Sequence, residues 1–246
     1  MTNLTSLPDD YRAWVFGAGG GIGSALVRHL SDDPRCAAVY AGARAPLAGE
    51  GKVTPFTFAL EDEASIAASV EAALGAGTPD LVLVTTGLLH APDMPPEKTM
   101  RSLSGDILAR SYAVNAIGPA LIAKHVLPLL PRDRKSVFAA LSARVSSLSD
   151  NRSGGWHAYR ASKAALNMLI RNCAIELAVR NKQAVCVTLH PGTVDTVMSA
   201  PFKVGVAPEK LFTPAQAAAY LLKVIDGLTP SQSGSLIAWD GQNIPF

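Results

Sequence analysis

The sequence predicts an α/β fold: one domain, residues 1–246, built on a doubly wound parallel sheet of about seven strands with helices on both faces. Three observations carry this expectation. Short apolar runs alternate with amphipathic ones along the chain, and strand–helix alternation implies right-handed βαβ units. The apolar runs are continuous rather than alternating, as in strands covered on both faces. A chain of 246 residues that is 48% hydrophobic and 17% charged can bury roughly three quarters of its unfolded surface in one core.

The elements follow in order. Arg12–Phe16 reads as a first strand, a glycine cluster as a turn, and Ile22–Leu30 as a helix. Ala37–Ala41 and Val53–Phe58 read as the second and third strands. Glu61–Leu74 reads as a helix whose opening acids suit a helix N-terminus. Asp80–Thr85 is a fourth strand, almost wholly apolar, and a helix over Ile107–Val126 follows. Ser136–Leu141 is a fifth strand, Trp156–Val179 a long helix and Ala184–Leu189 a sixth strand. Thr213–Asp226 is a helix with Thr213 as N-cap and Pro214 in its first position. Ser235–Ala238 closes the pattern as a short seventh strand. Ala45–Gly51 and Ala91–Pro96 are Pro/Gly-rich loops, and no repeat or linker divides the chain. The order is that of a Rossmann-type sheet.

Composition excludes several classes of function. Net charge is +2, aromatics make up 6%, and no run of Lys or Arg stands out, so nothing is offered to a nucleic-acid backbone. No stretch reaches the roughly 18 apolar residues of a membrane span. Met1–Asp10 has no apolar core of the kind a signal peptide needs. Cys36, Cys173 and Cys186 match no metal spacing and read as small core hydrophobes. No His/Cys/Asp/Glu set has ligand spacing, so no metal is expected. A reducing cytoplasm is the expected compartment.

The glycine run Gly17-Ala-Gly-Gly-Gly21-Ile22-Gly23 falls between the first strand and the first helix. A tight turn, a backbone close to a pyrophosphate and a helix packed on the sheet each exclude a Cβ. The helix N-terminus then offers unpaired N–H groups to the phosphates. The second strand ends Tyr40-Ala-Gly-Ala-Arg44 with no acid. An acid there would favour a free ribose 2′-hydroxyl, whereas Arg44 can fork onto a 2′-phosphate. NADP(H) is therefore expected over NAD(H).

Tyr159-Arg-Ala-Ser-Lys163 places a phenol and an ammonium one helical turn apart on one face. A nearby cation is expected to lower the Tyr159 pKa and fit it to exchange a proton with a substrate oxygen. Ser142 ends the fifth strand, where open α/β sheets meet ligands, and its hydroxyl could polarise a carbonyl. Asn115 sits inside the expected Ile107–Val126 helix, where an amide is locally unfavourable. That motivates a specific role: interrupting the helix and holding a water that links Lys163 to solvent. His190-Pro191-Gly192-Thr193-Val194-Asp195-Thr196 follows the sixth strand, where backbone and hydroxyl groups could orient a nicotinamide amide.

The order glycine turn, Asn115, Ser142, Tyr159-x-x-x-Lys163 and Pro191-Gly192 resembles the short-chain dehydrogenase/reductase family over nearly the whole chain. Within it, Gly87-Leu-Leu-His90 and the run Ser142 to Asn167 are similar to the C-factor (C-signal) branch, related to carbonyl reductases of the sniffer type. The resemblance implies a catalytic set of Asn115, Ser142, Tyr159 and Lys163. Tyr159 would be the acid/base, Lys163 would lower its pKa and bind ribose, Ser142 would steady the substrate, and Asn115 would maintain a proton relay. It implies a cofactor held by Gly17, Gly21, Ile22, Gly23, Arg44, Thr85, Thr86, Gly87, Tyr159, Lys163, Pro191, Gly192, Val194 and Thr196. It also implies a small carbonyl or alcohol substrate, and a homodimer or homotetramer formed through the helices Ile107–Val126 and Trp156–Val179.

The chain departs from the family pattern in four places. Phe16 stands where the family often has Thr, which removes one hydrogen bond. Val84-Thr-Thr-Gly87 replaces Asn-Asn-Ala-Gly, so Thr85 and Thr86 must supply different side chains beside the adenine ribose. Ala59 stands where an acid usually meets adenine, with Glu61 and Asp62 slightly later. Ser142 and Tyr159 are 17 residues apart, so the loop between them must bulge. His90, His157 and His190 lie near the expected site and read mainly as loop or partly buried histidines. Met198–Phe212 is the expected lid over the substrate. Hydride transfer between NADP(H) and a carbonyl or alcohol is the leading expectation. A dinucleotide-binding signalling protein with little turnover is the alternative, and a dehydratase or epimerase on the same fold is a third.

Overall fold

The computed structural model describes residues 4–75, 77–202 and 207–246. Part of Met1–Asp10 and the centre of the expected lid, residues 203–206, lie outside the described residues.

Eight strands form one sheet. They are β1 (Tyr11–Phe16), β2 (Cys36–Ala43), β3 (Val53–Thr57), β4 (Leu81–Val84), β5 (Ser136–Leu141), β6 (Ala184–His190), β9 (Leu236–Ala238) and β10 (Asn243–Ile244). Their spatial order is β10-β9-β6-β5-β4-β1-β2-β3. All neighbours are parallel except β10, which runs antiparallel to β9. The eighth strand is thus the addition to the expected seven. It is only two residues long, too short for a periodic signal. β7 (Thr193–Val194) and β8 (Leu211–Phe212) form a separate parallel pair.

Because β1 and β4–β6 are buried on both faces, each face carries its own apolar layer. On one face α1 (Gly21–Asp32) and α6 (Pro214–Gly227) set Leu26, Leu221 and Ile225 against Val15 and Val187. On the other, α2 (Glu63–Leu74), α4 (Gly118–Val126) and α5 (His157–Arg180) set Ile66, Ile122, Leu166 and Ile170 against Trp14, Val82 and Phe138. The order reverses between β1 and β4, where the chain crosses from one side of the sheet to the other. Crevices at such switch points are where open α/β sheets bind ligands.

Local chemistry sets the helix ends. Thr213 and Gln216 form a capping box at the start of α6. Asp62 accepts from Ala64 N and caps α2; this acid is committed to the helix. The expected Ile107–Val126 helix is in fact two. α3 (Gly105–Tyr112), with Ser104 as N-cap, runs into a π-helical turn over Ala113–Ile117, and α4 continues from Gly118. Asn115 lies in that π turn, fully buried. Such turns mark places where a side chain forces one extra residue into the ladder.

Candidate active site

The glycine turn joins β1 to α1 beside the switch point. Gly17 has φ +94°, a conformation that L side chains rarely adopt. A Cβ on Gly23 would lie 2.2 Å from Gly17 O and 2.7 Å from Thr85 Oγ1. The turn is therefore closed by backbone against backbone. α1 has no side-chain cap and no acid in its first turn, so its first N–H groups face outward unneutralised, as an anion requires. Ile22, in that first turn, packs against the core with its side chain half-buried. A Cβ on Gly21 would meet Thr196 Cγ2 at 2.8 Å, so Thr196, reached from β7, lies over the helix start.

Thr85 does something the sequence did not suggest. Its N–H and its hydroxyl both donate to Phe16 O, at 2.8 and 3.0 Å, and the hydroxyl also reaches Gly17 O at 3.1 Å. The hydroxyl expected beside the ribose is instead committed to the inside of the turn. Phe16, lacking a hydroxyl, packs edge-on against Phe56 and Phe58 at 5.4 and 5.2 Å. Thr85 thus ties the end of β1 from across the sheet. Thr86 is different: its Oγ1 is buried without a hydrogen-bond partner. Arg44, exposed at the end of β2, has no hydrogen bond or ion pair among the described residues.

The β5–α5 side carries the titratable groups. Ser142 follows β5; it is 4% exposed, and its Oγ is buried with no partner. Lys163 is 2% exposed and its Nζ donates to Leu141 O at 2.7 Å, one residue before Ser142. Tyr159 lies in the first turn of α5, half-buried, and no hydrogen bond to its hydroxyl occurs among the described residues. Asn115 is held from both sides of its amide. Oδ1 accepts from Leu88 N at 2.8 Å, while Nδ2 donates to Leu88 O at 2.8 Å and to Ser162 Oγ at 3.0 Å. Ser162 in turn donates to Tyr159 O at 3.0 Å, a link that sequence reasoning passed over although Ser162 stood within the quoted motif. Both amide hydrogens are therefore committed to protein atoms. Gly87 marks where these groups converge: a Cβ there would lie 3.6 Å from Asn115 Oδ1, 3.6 Å from Lys163 Nζ and 3.4 Å from Met198 Cε.

Burial, rather than mutual charge, governs the two titrating groups. It pushes the Tyr159 phenol up to about 12 and the Lys163 ammonium down to about 7. The expected lowering of the phenol by the lysine cation is not what this structure shows. The same dry walls disfavour both charges, and the ammonium is turned to Leu141 O.

The 17-residue span from Ser142 to Tyr159 is tied down by α5. Arg160 donates to Val145 O and Gly155 O, both at 3.0 Å, and Asn167 Nδ2 donates to Ser146 Oγ at 2.7 Å. Beyond β6, Pro191 is half-buried, Gly192 packs against Phe212 and Trp239, and Val194 is buried with Phe212. His190 is half-buried, with its Nδ1 enclosed and unpartnered; desolvation and then Arg144 push its pKa down to about 4. His90 Nε2 sits 3.0 Å from Met198 O, so the near end of the expected lid touches the loop after β4. Glu97 was missed altogether. It is buried, at 3% exposure, and receives the Ala158 N–H at the start of α5. The available signal was an α5 start, Gly-Gly-Trp-His, without a Ser, Thr, Asp or Asn to cap it. Among the described residues no group of three or more His, Cys, Asp or Glu converges, and no helix is long and apolar enough to cross a membrane.

A doubly wound sheet with a side-chain-free turn at its switch point defines the dinucleotide-binding class of α/β folds. The profile of the family described as short chain dehydrogenase matches residues 12–205; the chain belongs to that family. The 1-hydroxy-2-glutathionyl-2-methyl-3-butene dehydrogenase of Rhodococcus sp. (strain AD45) is 36% identical over 231 residues, 92% of this chain and 96% of that protein. The C-signal of Myxococcus xanthus is 37% identical over 139 residues, 56% of this chain and 78% of that protein. The fold is shared with the NADPH-bound carbonyl reductase from chicken fatty liver, at TM-score 0.83 and 23% identity, covering 98% of this chain and 95% of that one. The carbonyl reductase Sniffer of D. melanogaster, also at TM-score 0.83, is 20% identical and covers 96% of this chain and 99% of its own.

Proposed function

We propose that the protein is an oxidoreductase that interconverts a carbonyl and an alcohol by hydride transfer with NADP(H), with Tyr159 as the group that gives or takes the proton. The reading is carried by one observation: Ser142 Oγ is buried without a hydrogen-bond partner at the carboxyl end of β5, one residue past the carbonyl that holds the buried Lys163. A buried polar atom left unpaired is costly, and a substrate oxygen would satisfy Ser142 Oγ while taking its proton from Tyr159.

The residues present fit a dinucleotide. The glycine turn would bring bare backbone to a pyrophosphate, the start of α1 offers its N–H groups, Thr86 Oγ1 is unpartnered, and Arg44, with no ion pair among the described residues, would fork onto a 2′-phosphate. Gly87, Pro191, Gly192, Val194 and Thr196 would line the nicotinamide end. When bound, the cofactor supplies or accepts the hydride. Ser142 donates a hydrogen bond to the substrate oxygen and polarises the carbonyl. Tyr159, kept neutral by burial, delivers its proton to that oxygen in the direction of reduction. Lys163, titrating near 7, exchanges protons at neutral pH and would return a proton to the phenol. Asn115 holds the loop at Leu88 and, through Ser162, the backbone of Tyr159. The 198–202 and 207–212 segments are the parts of the lid that would cover the substrate. Met168, Ile175 and Val179 leave an apolar stripe exposed on α5, and a second copy is expected to cover it; light scattering reads the oligomer directly.

The test is titration with NADPH and NADH, followed by a carbonyl and alcohol panel read by NADPH absorbance. Tighter binding of NADPH with turnover of at least one carbonyl supports the reading, and no binding of either nucleotide rejects it. Similarity to the C-signal of Myxococcus xanthus favours a second reading, a dinucleotide-dependent signalling protein. A cellular phenotype that survives Tyr159→Phe but not Arg44→Ala would select it.

A further inference from the structure

α5 begins in an unusual way. Gly154, Gly155 and Trp156 precede its first residue with φ of +60°, +65° and +49°. Glycine takes this left-handed conformation without steric penalty, but a bulky residue there is an outlier that its surroundings must impose. The surroundings here are Glu97. Its backbone carbonyl accepts from Trp156 N at 2.5 Å, and its carboxylate receives Ala158 N–H at 3.2 and 3.4 Å. A carboxylate at a helix N-terminus also meets the positive end of the helix dipole, so Glu97 caps a helix that has no side-chain cap of its own.

The left-handed turn decides where the indole goes. Its ring lies edge-on to Tyr159 at 6.4 Å and tilted against Phe202 at 4.9 Å. Phe202 in turn meets the edge of His90 at 5.7 Å. These four rings come from three separate stretches of chain and are all half-buried; none belongs to the core layers. They form an aromatic wall next to the unpartnered Tyr159 hydroxyl. The Glu97 carboxylate beneath it is turned into the helix end. A planar ring packs well on such a wall, offset or edge to face, whereas a charged substituent finds no partner on it.

We propose that this wall selects carbonyl compounds bearing an aromatic ring next to the carbonyl, and that Glu97 is the positioning residue that sets it. The proposal rests on the reading of Tyr159 as the proton donor. The experiment compares kcat/KM for benzaldehyde and heptanal with NADPH. In the wild type the aryl substrate is expected to lead by roughly tenfold, the range a hydrophobic pocket delivers. Trp156→Gly, whose backbone accepts the left-handed turn freely, should bring the ratio to within about twofold, mainly through KM for benzaldehyde. Phe202→Ala, on a different segment, should lower it too. Glu97→Ala should lower the ratio, while Glu97→Gln, which keeps an acceptor oxygen for Ala158 N, should restore it. A purely structural Glu97 would change melting without moving the ratio. Equal kcat/KM for the two aldehydes in the wild type, or an unchanged ratio in both Trp156→Gly and Phe202→Ala, overturns the proposal and leaves the oxidoreductase reading standing. NADPH binding with turnover of neither aldehyde, nor of any other carbonyl, removes that reading and the wall's role with it.

Discussion

The two ends of the site, both at the carboxyl edge of the sheet, are built on opposite principles. At the β1–α1 turn the chain removes side chains and leaves the first N–H groups of α1 uncapped, while Thr85 is tied to Phe16 O and Gly17 O. At the β5–α5 side the chain adds side chains and leaves Ser142 Oγ buried without a partner, and no hydrogen bond to the Tyr159 hydroxyl occurs among the described residues. One end offers uncapped backbone N–H groups around a glycine turn; the other keeps a buried side-chain hydroxyl without a partner. Binding calls for the first and proton chemistry for the second. Damage at the two ends should therefore separate cleanly between nucleotide affinity and turnover.

The sharpest test is Tyr159→Phe. Removing one hydroxyl from the unsatisfied end should lower kcat by about 10²–10⁴-fold, the usual worth of a positioned acid or base, while NADPH binding by fluorescence titration stays as in the wild type. Ser142→Ala should come next, with kcat down by roughly 10²-fold for a lost oxygen-stabilising donor. Its effect on stability should have the opposite sign. Deleting a buried hydroxyl that has no partner should raise the urea-unfolding free energy of the unliganded protein by about 1 kcal/mol. If activity and stability fell together, the contrast between the two ends would be wrong.

Changes at the shaped end should read out in binding. Gly23→Ala puts a Cβ 2.2 Å from Gly17 O. It should cost about 1–3 kcal/mol of stability, as overpacking does, and weaken both nucleotides alike. Arg44→Ala removes a charge and leaves the turn untouched. It should weaken NADPH by roughly tenfold, the worth of one charge-assisted contact, and leave NADH unchanged; equal loss for both would move the 2′-phosphate site elsewhere.

The gentlest test is a slope with pH. Burial holds Lys163 near 7, against an ordinary value of 10.5. Between those values the unfolded chain binds the proton and the folded one does not, so stability rises as pH goes from 7 toward 10.5. Below 7 the penalty for burying the ammonium is fully present. Lys163→Met should flatten this limb in urea midpoints taken at pH 7, 8 and 9.

Much of the architecture was legible before the structure. The continuous apolar runs of β1, β4, β5 and β6 and the glycines between β1 and α1 are local patterns. A strand buried on both faces needs an unbroken apolar run, and a turn without room for Cβ needs glycine, so both leave marks within a few residues. The pairing of Tyr159 and Lys163 on one helical face follows from a spacing of four in the same way. The interruption of the helix at Asn115 was expected from an amide at an interior position, but its partner was not: the amide is bound by Leu88, 27 residues away, and the two-residue β10 is shorter than any period.

What the sequence by itself determined, then, is most of the sheet, the glycine turn and the placing of Tyr159 and Lys163 one helical turn apart, because each depends on side-chain size and spacing along the chain. Only the tertiary structure decided how those groups are used. Thr85 is committed to the turn because β4 lies beside β1. Tyr159 and Lys163 are pushed apart in pKa, to about 12 and about 7, because distant segments exclude water from both. Glu97 governs the start of α5 from some 60 residues earlier. Desolvation and long-range hydrogen bonds are properties of the folded surroundings, and no window of sequence contains them.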